Sequence, residues 1–425
     1  MGAPRGSGAV PRFWQGQTPK TTLDPALAGD LCAMFSEIEG VGGPGEDPSR
    51  GYTRSAWTAQ DLALRDWFAR RAGSLGLRVG TDSAGNQWAW WDSPHGPRTA
   101  VTCGSHLDSV PSGGAFDGPL GVISSLAAVA SLQRRGLTPS CPLAIVNFSD
   151  EEGARFGIAC VGSRVLTGVL DAERALGLVD AEGREAREIL REAGQDLSAY
   201  GADPELLASI ATHIELHVEQ GRALADKGAP VGVATHIWPH GRWRIDIGGE
   251  ANHAGTTPMG DRDDALVAAA ALILRVREIA LARGARLTVG RLGIEPGATN
   301  VIPSRVRLWV DARAGDSATL DAALADLAEW SPLNESLTPA TSFDEDVRER
   351  LCAASTRVLG AATAEGTAAG HDSGILQDAG VPCGMIFVRN ATGFSHTPRE
   401  YATLADCTAG AAVLVETLEE RTRAR

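Results

Sequence analysis

Apolar and polar positions along the chain fall into two repeating periods. Leu27 to Ile38 predicts a first helix. Leu62, Leu64, Trp67 and Phe68 give an apolar face to a second, which runs to about Arg71. Thr58 with Asp61 resembles a capping box in front of it. Leu77 to Val79 and Gln87 to Trp91 read as strands joined by a turn at Asp82 to Asn86. A further turn at Pro94 to Pro97 leads into a strand at Ala100 to Cys103. Leu120, Ile123, Ala127 and Ala130 then recur at helical spacing, so a helix begins near Gly118. Leu143 to Phe148 is apolar enough for a strand buried on both faces. Strand, helix and strand in this order make a βαβ unit, hence a parallel sheet with its function at the strand C-termini.

From about Trp238 to Ser342 the pattern changes. Trp243, Ile245 and Ile247 alternate as a strand, and Asp263 to Ala282 is a long Ala-rich helix. Strands at Leu287 to Val289 and Val306 to Val310 follow, then a helix marked by Leu320, Leu324 and Leu327. Ser331 to Ser342 stands where a longer last helix is expected. The first style then returns, with a helix from Asp344 to Leu359, a strand from Gly384 to Val388 and a helix from Leu404 to Leu418. The fold expected is therefore α/β. A larger domain over 1–238 and 343–425, with a mostly parallel sheet flanked by helices, is interrupted by a smaller ferredoxin-like α+β domain over 239–342. Residues up to about Leu23, rich in Gly, Pro and basic side chains, read as a loosely packed arm. Asp171 to Leu197 reads as mostly helical and polar, with little functional signal.

Charge narrows the function. The chain has 425 residues and a net charge of -14, so no basic stripe is available to neutralise nucleic-acid phosphates. The longest apolar run, Ala265 to Leu274, is about half of a bilayer span, which argues against a membrane protein. The N-terminus has no apolar segment of the kind that signal peptides carry. The 7 cysteines are odd in number and form no C-x-x-C pair, which suits reduced thiols in a cytoplasmic protein.

Candidate chemistry begins at Gly104 to Val122, GSHLDSVPSGGAFDGPLGV. It gathers His106, Asp108 and Asp117 in a Gly-rich loop after a strand. Imidazole nitrogen and carboxylate oxygen together suit several divalent ions. Ordinary loop polarity is the bland alternative. The second βαβ strand ends in Ser149-Asp150-Glu151-Glu152-Gly153. Adjacent carboxylates there are costly as anions unless a cation sits among them, although an isolated run of this kind is usually a solvated loop. Ala211 to Gln220 alternates with period two, with His213, Glu215, His217 and Glu219 on one face and Ile214, Leu216 and Val218 on the other. That face is either a hydrated edge strand or the source of another ligand.

GSHLDSVPSGGAFDGPLGV, SDEEGARFG, ELHVEQG, ANHAGTTPM, GATNVIPS, AGHDSG and GFSHTP occur in this order. Together they resemble the amidase branch, of hydantoinase/carbamoylase type, of the two-metal peptidase and acylase superfamily. Its members include N-carbamoyl-L-amino-acid hydrolases, 3-ureidopropionases and allantoate amidohydrolases. The resemblance, from about Arg54 to the last helix, implies two divalent ions (Zn, or Mn, Co or Ni) bridged by Asp117. His106 and His217 would complete one site, and Glu152 and His396 the other. It implies Glu151 as general base and His253 as oxyanion stabiliser, with Gln220, Asn300 and Arg313 as substrate-binding groups. It further implies a homodimer formed through the inserted domain, which would also act as a lid. One ligand and one base from the neighbours Glu152 and Glu151 is a natural split, because adjacent strand-end side chains point apart. Arg313 suits a substrate carboxylate through its bidentate fork; its bland reading is a surface salt bridge.

The chain departs from the family at His236-Ile237-Trp238-Pro239-His240, where small residues are usual. His371 and Asp372 match a family motif without a role. The implied activity is hydrolysis of a ureido or N-carbamoyl group on a small carboxylate, such as allantoate or an N-carbamoyl-L-amino acid, with release of ammonia and carbon dioxide. Hydrolysis of N-formyl or N-formimino amino acids, an aminoacylase or dipeptidase, and a non-catalytic binder on the same scaffold are the alternatives.

Overall fold

Strands β1 (Arg78–Thr81), β2 (Gln87–Trp91), β3 (Ala100–His106), β4 (Leu143–Phe148), β5 (Ile210–Val218), β6 (Val231–Ile237), β7 (His240–Gly248), β8 (Arg286–Glu295), β9 (Arg305–Arg313), β10 (Leu333–Thr338), β11 (Thr341–Ser342), β12 (Ala364–Thr367) and β13 (Cys383–Val388) succeed one another along the chain. The structure is a computed structural model that describes residues 10–96 and 98–423. Two units are distinguished. The larger holds the described residues up to Thr235, then Phe343–Glu365, then those from Gly370 on; the smaller holds His236–Ser342 and Gly366–Ala369.

The main sheet has the order β1-β2-β4-β3-β5-β13-β6, with β11 and β12 added to β6. β3, β4, β5 and β13 are mutually parallel, so their C-terminal ends open on one side. β4 and β13 are buried along their whole length, as their continuous apolar sequences require. β5 lies between β3 and β13, which excludes the hydrated-edge reading of its polar face. That face is buried and hydrogen-bonded instead. His213 Nδ1 meets Thr102 Oγ1 at 3.0 Å, and Glu215 accepts from Ser105 Oγ at 2.8 Å and Ser373 Oγ at 2.6 Å. Glu219 accepts from the backbone N–H of Ala223 and Leu224.

The helix Pro119–Arg134 follows Gly118, as expected, and is buried from Pro119 to Leu132. It packs on β3 and β5 and against the helices Pro25–Ile38 and Leu404–Thr422. Its first turn comes so close to the sheet that a Cβ on Gly121 would lie 2.2 Å from the Leu216 carbonyl oxygen, and glycine alone avoids that clash.

Two expectations for the larger unit are corrected. The arm is not loose where it is described; its residues 1–9 lie outside the described residues. Trp14 is fully buried and its Nε1–H donates to the Ala402 carbonyl at 2.9 Å. Phe13, Trp14, Phe35 and Phe116 pack edge to face or tilted. Two aromatic rings, each able to bury about 150–250 Å², outweigh the Gly- and Pro-rich composition around them. Thr58 and Asp61 do not form a capping box. Thr58 makes no side-chain cap bond to its helix and donates instead to the Ser55 carbonyl. Asp61 is buried, pairs with Arg65 at 3.0 Å and accepts from the Trp57 N–H. The Pro94 to Pro97 turn is described except for Pro97.

The smaller unit is an antiparallel sheet of order β10-β7-β9-β8, covered by the helices Ala265–Arg283 and Ser317–Ala325. Its β-α-β-β-α-β order is ferredoxin-like. The Ser331 to Ser342 segment holds the edge strand β10 rather than a stand-in for a longer helix. Its Leu333 and Leu337 are exposed, so no buried face imposes an alternation on the sequence. Among the described residues, no helix is long and apolar enough to cross a membrane. All seven cysteines are free thiols.

Candidate metal centre

The ends of the parallel strands bring distant side chains together. His106 is the last residue of β3, His217 is next to last in β5, and Glu151 and Glu152 follow β4. His396 lies in the loop after β13. Asp117 precedes the buried helix. Its backbone is turned inward by Gly118, whose φ of 82° is open to glycine and strained for other residues.

Asp117 divides its two oxygens between two groups of ligand-type atoms. Oδ1 lies 3.7 Å from His106 Nε2 and 3.3 Å from His217 Nε2. Oδ2 lies 3.5 Å from His396 Nε2, which lies 3.3 Å from Glu152 Oε2. Two donors each about 2.1 Å from one tetrahedral ion lie about 3.4 Å apart, so both groups have the spacing of a ligand set. The imidazoles are oriented for it. His106 Nδ1 faces the Asp108 carbonyl at 3.1 Å and His217 Nδ1 the Val218 carbonyl at 2.8 Å, which turns each Nε2 lone pair inward. His106 Nε2, His217 Nε2 and Asp117 Oδ1 are buried with no hydrogen-bond partner. Buried polar atoms are seldom left so, and a divalent cation would satisfy all three.

Glu151 stands beside this cluster, with Oε2 3.5 Å from His106 Nε2 and Oε1 accepting from the Cys160 thiol at 3.4 Å. Burial, reinforced by Asp108 and Asp117 and opposed by His106, pushes its carboxyl up to about 7. Burial also drives Glu152 well above the carboxylate range, helped by Asp117 and Glu151. Burial works against the charged forms of Asp117 and His217, but each stabilises the other. Asp117 is held low by His217, His106 and His396, and His217 is raised to about 9.

The structure also gives contacts to residues around the cluster, among them Gln220, which the resemblance assigns to substrate binding. Asp108 accepts from the N–H groups of both Glu151 and Glu152 at 3.2 Å and so sets the turn that presents them. Ser395 Oγ and Gln220 Nε2 both donate to Asp117 Oδ2, at 3.1 and 2.8 Å. Glu400 was missed altogether. Its buried Oε1 accepts from the backbone N–H of Phe116 at 2.9 Å and of Asp117 at 3.0 Å. The available signal was its place four residues after His396. His371 is buried with its ring 4.7 Å from that of His217, and Asp372 accepts from the Ser163 hydroxyl. Glu215 and His371 group with His217 as possible ligands, but both Glu215 oxygens are engaged by serines.

In the smaller unit, His253 is exposed and its Nδ1 accepts from the N–H of Gly255 and Thr256. Neutral His253 therefore carries its proton on Nε2. The Asn300 carbonyl accepts from the Ala254 N–H, which ties it to the His253 loop. Arg313 is engaged: its fork pairs with Asp311 at 2.7 and 3.1 Å, and its third nitrogen reaches the Ala368 carbonyl. The bulky 236–240 segment packs within this unit. His236 meets the Gly315 carbonyl, and Arg286 stacks on Trp238 at 4.6 Å.

A model of peptidase family M20/M25/M40 matches residues 102–420. An N-carbamoyl-L-amino acid amidohydrolase of Geobacillus stearothermophilus is 36% identical over 398 residues, covering 91% of this chain and 97% of that protein. An allantoate amidohydrolase of Escherichia coli K12 is 30% identical over 395 residues, covering 87% and 93%. A crystal structure of a hydantoinase/carbamoylase-family amidase from Burkholderia vietnamiensis superposes with a TM-score of 0.81 at 31% identity, covering 93% of this chain and 97% of that one. The chain belongs to peptidase family M20/M25/M40 and, within it, to the amidases of hydantoinase/carbamoylase type.

Proposed function

We propose that the protein is a binuclear metal-dependent amidohydrolase acting on the ureido or N-carbamoyl group of a small carboxylate. Allantoate and N-carbamoyl-L-amino acids are the leading substrates. The observation that carries this reading is the sharing of Asp117 between two His-carboxylate groups with Glu151 alongside. In the proposal His106, Asp117 and His217 hold one ion, and Asp117, Glu152 and His396 the other. Mixed imidazole and carboxylate donors suit Zn, Mn, Co and Ni. The chemistry supplied by such a pair is Lewis acidity towards water and towards a carbonyl oxygen.

Glu151 takes the proton of the attacking water and delivers it to the departing nitrogen. A carboxyl near neutrality does both, since it gains and loses a proton at little cost. One C–N bond of the carbamoyl carbon breaks and frees the first nitrogen. The carbamic acid left behind loses carbon dioxide as its remaining C–N bond breaks, so that ammonia, carbon dioxide and the free amine result. His253, with its proton on Nε2, has the form needed to donate to an oxyanion. Gln220, Asn300 and Arg313 are assigned to the substrate's polar groups. For Arg313 this requires exchange of Asp311 for the substrate carboxylate.

The test is ammonia release from a panel of ureido acids by the Mn-, Co-, Ni- or Zn-loaded protein, with and without chelator. Release is expected from at least one ureido acid and is abolished by chelation. Glu151→Gln should lower kcat about 10²–10⁴-fold with metal content unchanged. No release with any of the four metals would leave a binding protein, and retained turnover in the variant would remove Glu151 as the base. The smaller unit is assigned the lid and homodimer contact; the exposed Val267, Leu274 and Leu281 on its long helix support the latter. Sedimentation should give a dimer that Leu274→Glu dissociates; a wild-type monomer would sink that assignment.

A further inference from the structure

A cavity of about 330 Å³ lies in the larger unit, away from the ligand cluster. Val101 near the start of β3 and Ala211 near the start of β5 line it, whereas the ligands His106 and His217 stand at the other ends of the same strands. At about 3.3 Å per residue the two places are roughly 17–20 Å apart.

The walls are cationic. Arg98, Arg350, Arg421 and Arg423 line the cavity, with Glu420 the one carboxylate among its lining residues. That is unusual in a chain of net charge -14. Four guanidinium groups from three separate segments repel one another, and nearby acids only partly relieve this. Asp346 is shared by Arg350 at 2.8 Å and Arg421 at 3.2 Å. Glu420 is shared by Arg350 at 2.9 Å and Arg357 at 2.5 Å. Glu419 is shared by Arg423 and Arg135. Arg357 also pairs with Glu416 at 2.7 Å and Arg135 with Asp24 at 3.9 Å, so the excess is one guanidinium, that of Arg98, which has no ion-pair partner among the described residues. Arg421 is a fixed wall rather than a loose tether. Its side chain is 19% exposed and is held by Asp346 and the Thr212 hydroxyl.

We propose that this cavity is a binding site, separate from the ligand cluster, for a phosphate-bearing small molecule. Guanidinium forks match the paired oxygens of a phosphate, and Arg98 offers a fork that no carboxylate occupies. The volume admits more than a bare phosphate, so a phosphorylated metabolite fits as well.

The test is isothermal titration of the metal-loaded protein with pyrophosphate, and with inorganic phosphate as a smaller probe. Wild type is expected to bind pyrophosphate with a sub-millimolar dissociation constant that weakens as salt rises. Arg98→Gln with Arg423→Gln, both exposed, should weaken that event at least about tenfold. Any anion bound at the ligand cluster would survive this double substitution, which separates the two locations. Arg275→Gln with Arg277→Gln makes the same charge change outside the cavity and should leave binding unaltered. An equal loss in both double variants would mean a net-charge effect and would overturn the site. So would an unchanged isotherm in the cavity variant, or no binding by wild type. Circular dichroism of each variant confirms that it is folded.

Discussion

Gly118→Ala is the sharpest probe of how the backbone shapes this centre. Gly118 has φ 82° and ψ -62° and begins the buried helix. An added Cβ would lie 2.4 Å from Cε1, 2.5 Å from Nδ1 and 2.8 Å from Nε2 of His106. The ring has little room to retreat, because it is fully buried and its Nδ1 faces the Asp108 carbonyl. Forcing an L-residue into positive φ costs about 1–2 kcal/mol. Overpacking a tight site adds about 1–3 kcal/mol. The reduced freedom of the unfolded chain returns only about 0.4–1 kcal/mol. The net loss should be about 1–5 kcal/mol, and the strain falls on a proposed metal ligand. Loss of orientation around a ligating histidine typically lowers metal affinity about 10–100-fold. Urea unfolding followed by tryptophan fluorescence reads the first effect. Metal content after gel filtration at limiting metal reads the second. A Gly118→Ala protein with wild-type unfolding midpoint and full metal content would refute the argument that this glycine is what lets Asp117 and His106 meet.

Glu400→Ala should cost about 2–6 kcal/mol, since it strips the shared acceptor from two buried N–H groups at Phe116 and Asp117, each worth about 1–3 kcal/mol. Glu400→Gln, which keeps a carbonyl oxygen, should be milder in urea unfolding; equal losses would show that the two N–H bonds are not what matters. His213 gives a pH test away from the ligand cluster. Burial, opposed by Glu215, pushes its imidazole down to about 4. An unfolded histidine titrates near 6.5, so below that pH the unfolded chain binds the extra proton. The folded state keeps its full stability above pH 6.5 and loses up to about 3 kcal/mol as pH falls through 4. His213→Phe should flatten that part of the stability profile between pH 7 and 4.5, and an unchanged slope would show that His213 is not its source.

Local pattern and chemical type were readable from the residues alone. The helix after Gly118, the buried strand Leu143 to Phe148 and the α/β layering follow from periods that any burial of those side chains would impose. The candidate ligand types were visible too, but histidines and carboxylates at strand ends are as readily ordinary loop polarity, and the ordered run of family motifs is what singled out five of them. Other features depend on neighbours that lie far away in sequence. The polar face of β5 read either as a hydrated edge or as a source of a ligand until β3 and β13 paired on its two sides, because one strand's alternation is the same beside water as beside buried serines. Phe13 and Trp14 looked like part of a loose arm, since what orders them is Phe35, Phe116 and the Ala402 carbonyl. Strand β10 left no alternation because its side chains face solvent. Glu400 had no meaning until the fold set it against the Asp117 amide. Periodicity records which side of a segment is dry. Which distant atom satisfies a buried charge is settled only when parallel strands bring their ends to one place.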